Sequence, residues 1–204
     1  MAIAPPNLSV QGLGLLSPRL QQDQVAPLRA RAQLAPFGRG EQTVIDTAVR
    51  RTWQIDADQI TFAGRNWAQT LGGIVGRAAD GLGVPEPVNA QLYKLLIYDT
   101  GSFFIEHRDT EKADGMFATL VLVLPSIYSG GELLIGHGER EVCVNLAGAD
   151  PADGAFVAFY ADCVHAPVAP TAPRLALAPS SDAVKLIFAD CCAIKFVSSA
   201  HGRC

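Results

Sequence analysis

The chain has little charge of either sign and no excess of positive charge. Charged residues make up 18% of its 204 residues, with 16 Lys and Arg against 20 Asp and Glu and a formal net charge of −4. That balance creates no long-range positive field to attract a phosphate backbone, which argues against nucleic acid as a partner. Long hydrophobic runs are also missing. The longest strongly apolar run, Ala118 to Leu124, falls far short of the roughly 20 residues that cross a bilayer, and Pro5 and Pro6 break the N-terminal residues before a signal-type apolar stretch can form. The expectation is a soluble, unsecreted protein with no membrane partner, intracellular and cytoplasmic, with the nucleus left open. Cysteine is sparse and unpatterned. Cys143, Cys163, Cys191, Cys192 and Cys204 are odd in number and contain no C-x-x-C pair, which suits free or buried thiols in a reducing compartment better than a disulfide framework. There is no internal repeat, and no signal sets an oligomeric state.

Apolar residues, by contrast, are plentiful. Hydrophobic residues form 49% of the chain and the mean hydropathy is +0.20, which excludes a disordered or solvating chain. A chain of this length makes one ordinary domain and buries about 70% of its unfolded surface. Residues 1–40 carry Pro5, Pro6, Pro18, Pro27 and Pro36 with no sustained periodicity and read as an extended leader. Between Thr43 and Ile55 the recurrence of Val44, Ile45, Val49, Trp53 and Ile55 predicts one or two short strands.

The clearest helix runs from Trp67 to Leu82. Its apolar residues Trp67, Leu71, Ile74, Val75, Ala78, Ala79 and Leu82 fall on one face, with Asn66 placed to cap the start and Gly83 and Pro85 to end it. Beyond Pro87 the pattern becomes short β-type runs: Leu92 to Tyr98, Phe103 to His107, Ala118 to Leu124, Leu133 to Ile135, Val142 to Val144, Ala155 to Tyr160, Val164 to Val168 and Leu175 to Leu177. Such a series of short strands predicts a mainly β domain, a jelly roll or barrel. Gly130-Gly131 marks a hairpin or turn, and Phe103, Phe117, Phe156 and Trp67 are expected to pack in the core.

Three elements could carry chemistry. In extended backbone, His107 and Asp109 of His107-Arg108-Asp109 project on one face while Arg108 points away, so an imidazole and a carboxylate can reach one cation. Phe103, Ile105 and His107 would then share a face at the edge of an apolar interior. By itself, H-x-D is also an ordinary solvated turn. His165 follows 56 positions after Asp109, at the start of a later strand. Alone such a residue is more often a satisfied strand-end histidine than a ligand. Together, two imidazoles and one carboxylate make a facial triad with three open positions, suited to non-haem Fe(II) with a bidentate co-substrate and O2. Arg174 offers a planar fork for the distal carboxylate of a dicarboxylic acid, and Tyr98 a phenolic O–H for the same group; a surface arginine and a half-buried strand aromatic are the plain alternatives. Arg50 and Arg51 stand either at the entrance or on a solvated strand edge.

The ordered text resembles the Fe(II)- and 2-oxoglutarate-dependent oxygenases, specifically the prolyl 4-hydroxylase-like group. The matching segments are Leu92-Tyr93-Lys94-Leu95-Leu96-Ile97-Tyr98, Gly101 to Lys112 with its H-x-D, Met116 to Pro125, Tyr128-Ser129-Gly130-Gly131-Glu132-Leu133, and Phe159-Tyr160-Ala161-Asp162-Cys163-Val164-His165. The resemblance covers about residues 40 to 175. It implies a double-stranded β-helix, or jelly roll, with one or more N-terminal helices, and an oxygenase domain over residues 41–178. It also implies iron held by His107, Asp109 and His165, 2-oxoglutarate held by Arg174 and Tyr98, and ascorbate as a candidate accessory. The activity implied is a dioxygenase that hydroxylates a substrate, a prolyl or other protein side chain being the analogy, while 2-oxoglutarate becomes succinate.

Residues 179–204 form a divergent tail. Arg174 leads into Leu175-Ala176-Leu177-Ala178-Pro179, and a proline there shortens the strand or sends it to an edge. A tail that left the sheet open would let iron bind but weaken 2-oxoglutarate binding. Two other readings therefore remain: a non-catalytic β-helix interaction domain that has lost turnover through its altered C-terminus, and a cupin-like metal site with other chemistry.

Overall fold

The computed structural model describes residues 6–39, 42–99, 101–109, 115–126, 128–147, 153–167, 170–171 and 185–194. In chain order the elements begin with strands β1 (Asn7–Val10) and β2 (Gly14–Leu15), helix α1 (Gln22–Arg31), and strands β3 (Gln33–Leu34), β4 (Phe37–Arg39) and β5 (Gln42–Val44). Strands β6 (Arg50–Arg51), β7 (Trp53–Asp56) and β8 (Ile60–Ala63) precede helix α2 (Trp67–Leu82). The rest is strand: β9 (Lys94–Tyr98), β10 (Phe103–Phe104), β11 (Ala118–Val123), β12 (Ser129–Gly130), β13 (Leu133–His137) and β14 (Arg140–Val144), then β15 (Ala155–Tyr160), β16 (Val164–Pro167), β17 (Pro170–Thr171) and β18 (Lys185–Ile194). The fold is mainly β with flanking helices, as the sequence predicts. No described helix is long and apolar enough to cross a membrane.

A six-stranded antiparallel sheet in the order β15-β11-β18-β9-β7-β3 divides the interior into two cores. Side chains alternate across a strand, so one strand serves both cores. In β11, Ala118, Leu120 and Leu122 join Ile74 and Ala78 of α2 on one side. Val121 and Val123 join Leu133 of β13 and Phe159 of β15 on the other. With both faces covered, β11 reads in the sequence as an apolar run interrupted only by Thr119. The second core lies between the large sheet and a three-stranded sheet, β14-β13-β16.

Helix α2 has the predicted limits. Gly83 ends it with φ 71°, and its N–H donates to the carbonyls of Ala79 and Asp80; a left-handed residue is what glycine supplies without strain. Asn66 stands at the cap position but makes no side-chain capping bond.

Within residues 6–39 the chain differs from the extended leader that its prolines suggest, for it forms β1, β2, α1, β3 and β4. Leu8 and Val10 of β1, together with Leu16, Leu20 and Leu28, are buried in the α2-side core. Burial of these scattered leucines and a valine fixes the segment. Gly130-Gly131 is not a hairpin, for Gly130 ends β12 and Gly131 follows it before β13. With φ 69° and 73° the pair redirects the chain from β11 of the large sheet to β13 of the small one, and β12 pairs instead with β17. Beyond Pro179, Lys185–Ile194 runs as β18 between β11 and β9. Leu175 to Leu177 and Arg174 lie outside the described residues.

Candidate metal centre

His107, Asp109 and His165 come together from two distant parts of the chain. One ligand-capable atom from each lies within 4.8 Å of the other two. Donors at about 2.0–2.2 Å that take neighbouring positions on one ion stand about 3 Å apart, so the widest pair would have to draw in by about 1–2 Å, through side-chain rotation, to share a metal. The backbone sets this geometry. His107 and His165 form an antiparallel bridge in which the N–H of His107 donates to the carbonyl of His165 at 3.0 Å and the reverse bond is 2.8 Å. Residues exchanging both bonds put their side chains on one face, and the two imidazole centroids are 4.2 Å apart.

Each imidazole is oriented by the backbone two residues before it. Nδ1 of His107 is 2.8 Å from the carbonyl of Ile105, and Nδ1 of His165 is 3.2 Å from that of Cys163. A proton on Nδ1 given to those carbonyls leaves the Nε2 lone pair for a cation. Nε2 of His165 lies 3.8 Å from Oδ2 of Asp109, too far for a hydrogen bond, with both side chains nearly buried. Thr119 of β11 donates its hydroxyl to that same Oδ2. The donor set of two imidazoles and one carboxylate, each with an outer partner, fits a divalent first-row metal such as Fe(II).

Aromatic rings enclose the histidines. Phe104 stacks on His107 with centroids 3.5 Å apart, and Phe159 lies against His165 at 4.7 Å. This differs from the expectation that Phe103, Ile105 and His107 share a face. Strand β10 ends at Phe104 and the chain bends at Glu106, so strict alternation is lost and Ile105 is 50% exposed. Arg108, between His107 and Asp109, is exposed. Its Nε donates to the carbonyl of Asp162 at 2.9 Å, tying the H-x-D segment to the turn before β16.

Beside His107 and Asp109 opens a cleft of about 260 Å³ whose lining includes Pro36, Phe37, Arg50, Tyr93, Lys94 and Phe104. Arg50 is buried there, at 3% exposure, rather than on a solvated edge. Arg51 is the exposed member of the pair and reaches Asp99 at 4.0 Å. Tyr98 is buried on β9, on the same face as Leu96, in the core between the two sheets. Tyr128 packs against that core, where burial and the nearby Glu132 carboxylate push its phenol up to about 12. Burial, followed by the Asp162 carboxylate, also raises the Cys163 thiol.

Sequence reasoning missed Thr119, Phe104 and Phe159. Thr119 left one signal, as the only hydroxyl in the Ala118 to Leu124 run.

No family model matches the chain, and no curated protein matches it. Among solved structures it is similar to a prolyl hydroxylase from Trichoplax adhaerens, in complex with a hypoxia inducible factor oxygen degradation domain peptide fragment. The TM-score is 0.53 at 15% identity, over 81% of this chain and 72% of that one. Similarity extends to an oxidoreductase of the 2OG-Fe(II) oxygenase family from Burkholderia pseudomallei, with TM-score 0.43, 15% identity and coverage of 81% and 76%. A Pseudomonas putida prolyl-4-hydroxylase matches over 91% of this chain and 92% of its own, with TM-score 0.45 and 17% identity. At these identities the likeness is one of fold.

Proposed function

We propose that this chain is an Fe(II)- and 2-oxoglutarate-dependent dioxygenase built on a double-stranded β-helix. The observation that carries the reading is the convergence of His107, Asp109 and His165. The fold shared with the Trichoplax adhaerens hydroxylase supports it, as does the second core held between a large and a small antiparallel sheet.

In this reading the three side chains hold the metal through the two Nε2 atoms and the Asp109 carboxylate. The carbonyls of Ile105 and Cys163 accept from Nδ1 and keep the imidazoles aimed with Nε2 toward the metal, while Thr119 keeps the carboxylate from turning. Phe104 and Phe159 shield the imidazoles from water. Bound together, Fe(II) and 2-oxoglutarate supply the oxidising chemistry, in which O2 and 2-oxoglutarate yield CO2, succinate and a hydroxylated substrate. Arg174 and Tyr98 are the residues proposed for the distal carboxylate of 2-oxoglutarate. The cleft beside His107 is the proposed substrate approach, with a prolyl or other protein side chain as the substrate class.

The test is an anaerobic titration of metal-stripped protein with Fe(II) and 2-oxoglutarate, read by the visible charge-transfer band of a chelated keto acid. A band present in the wild type and lost in His107→Ala supports the reading. Metal binding with no band would instead favour the non-catalytic domain.

A further inference from the structure

His107 lies beyond the two-residue strand β10 and the bend at Glu106, so its backbone is constrained mainly by the bridge to His165. Its ring is held by something else. Phe104 lies on the imidazole at 3.5 Å between centroids, with the planes only 26° apart. Phe104 is buried but belongs to neither main core, so close packing does not fix its ring as it fixes Leu120. The group seated on it is Arg50, whose guanidinium carbon is 4.4 Å from the ring centroid. Strands β6 and β10 pair Arg50 directly with Phe104, which puts the two side chains on one face. Arg50 is anchored in turn, since its Nη1 donates to the carbonyl of Pro36 at 2.9 Å. A tilted Phe37 closes another side of the ring, at 6.0 Å.

We propose that Arg50 is a positioning residue that acts through Phe104 to fix the ring of His107. The link to metal binding rests on the oxygenase reading, whereas the link to His107 does not. A guanidinium prefers the face of an aromatic ring, so a buried, anchored Arg50 restricts the tilt of Phe104. A stacked Phe104 restricts His107 in the same way. The three residues thus form a layered support reaching from the wall of the cleft to a proposed metal ligand, comparable in role to the carbonyl that fixes Nδ1.

The test uses the full chain, stripped of metal, as wild type, Arg50→Met, Arg50→Lys and Phe104→Leu. Two quantities are read alongside the thermal midpoint. One is Mn(II) affinity, from the free-ion electron paramagnetic resonance signal. The other is the His107 Hε1 proton shift in metal-free protein, assigned by its loss in His107→Gln and sensitive to the Phe104 ring current. Arg50→Met is expected to weaken Mn(II) binding about ten-fold and to move the Hε1 resonance, with Arg50→Lys restoring part of both. Phe104→Leu, which removes the ring but leaves Arg50, is expected to give the same losses and serves if Arg50→Met does not fold. Wild-type affinity with an unmoved resonance in Arg50→Met and Phe104→Leu would overturn the proposal while leaving the oxygenase reading intact. Equal losses in Arg50→Met and Arg50→Lys that simply follow the thermal midpoint would also overturn it. If the wild type fails to bind Mn(II) but the resonance still depends on Arg50, the support of His107 stands and the metal reading falls.

Discussion

The hydroxyl of Thr119 donates to Oδ2 of Asp109, joining the central strand of the apolar interior to the carboxylate of the candidate metal centre. A threonine is isosteric with valine, so the contact can be removed with little change in packing. Thr119→Val is expected to weaken Fe(II) or Mn(II) binding by about ten- to a hundred-fold, with Thr119→Ser close to wild type. Calorimetric titration measures it, and unchanged affinity in Thr119→Val would mean that the backbone alone orients Asp109.

Tyr128 gives a prediction in pH. Its phenol is pushed up to about 12 from the ordinary 10.0, by burial first and by Glu132 second. A group with a raised folded-state pKa contributes stability that is complete below the unfolded value and is lost as pH rises through the folded one. The wild type should therefore lose stability relative to Tyr128→Phe between about pH 10 and 12. Urea midpoints of the two proteins across that window test it; parallel curves would show that Tyr128 titrates normally.

Cys163 and Cys143 should separate in reactivity. Cys143 is exposed, whereas Cys163 is buried with its thiol raised by that burial and by Asp162. Only the thiolate is alkylated, so iodoacetamide at about pH 8 should modify Cys143 well before Cys163. Peptide mapping against time reads the order, and equal rates would mean that the turn around Asp162 opens readily.

How far the sequence predicts this arrangement depends on the element. Helix α2 was legible because one apolar face repeats over four turns and a glycine ends it. Strands β9, β10, β11, β13, β14, β15 and β16 were legible from their β-branched and apolar runs, and His107, Asp109 and His165 from motif order, whereas β12, β17 and β18 were not. Helix α1 was not, because Leu28 alone is fully enclosed, so no apolar stripe forms, and Pro27 lies inside it. Thr119 was hidden because threonine is also a plain strand former. The Phe104 stack depends on the bend at Glu106, which a two-residue periodicity cannot predict.

Leu120 sits at the most demanding point of the large sheet, fully buried in β11 between β15 and β18. Leu120→Ala removes buried methyl groups at a position where neighbours on both sides resist collapse. The expected loss is about 2–5 kcal/mol. A denaturant midpoint reads it; a loss under about 1 kcal/mol would mean that the core closes around the vacancy.

The place of β18 has a consequence for how the molecule forms. Strands β9 and β11 never touch as sheet neighbours; the slot between them is filled by a strand that follows β11 by some sixty residues. Until that strand arrives, two of the most apolar segments of the chain present open edges to each other and to other molecules. Edges of that kind template aggregation, and closing so long a loop is slow. Folding should therefore be limited by the docking of β18, and its interruption before that step should yield insoluble chains rather than a smaller stable sheet.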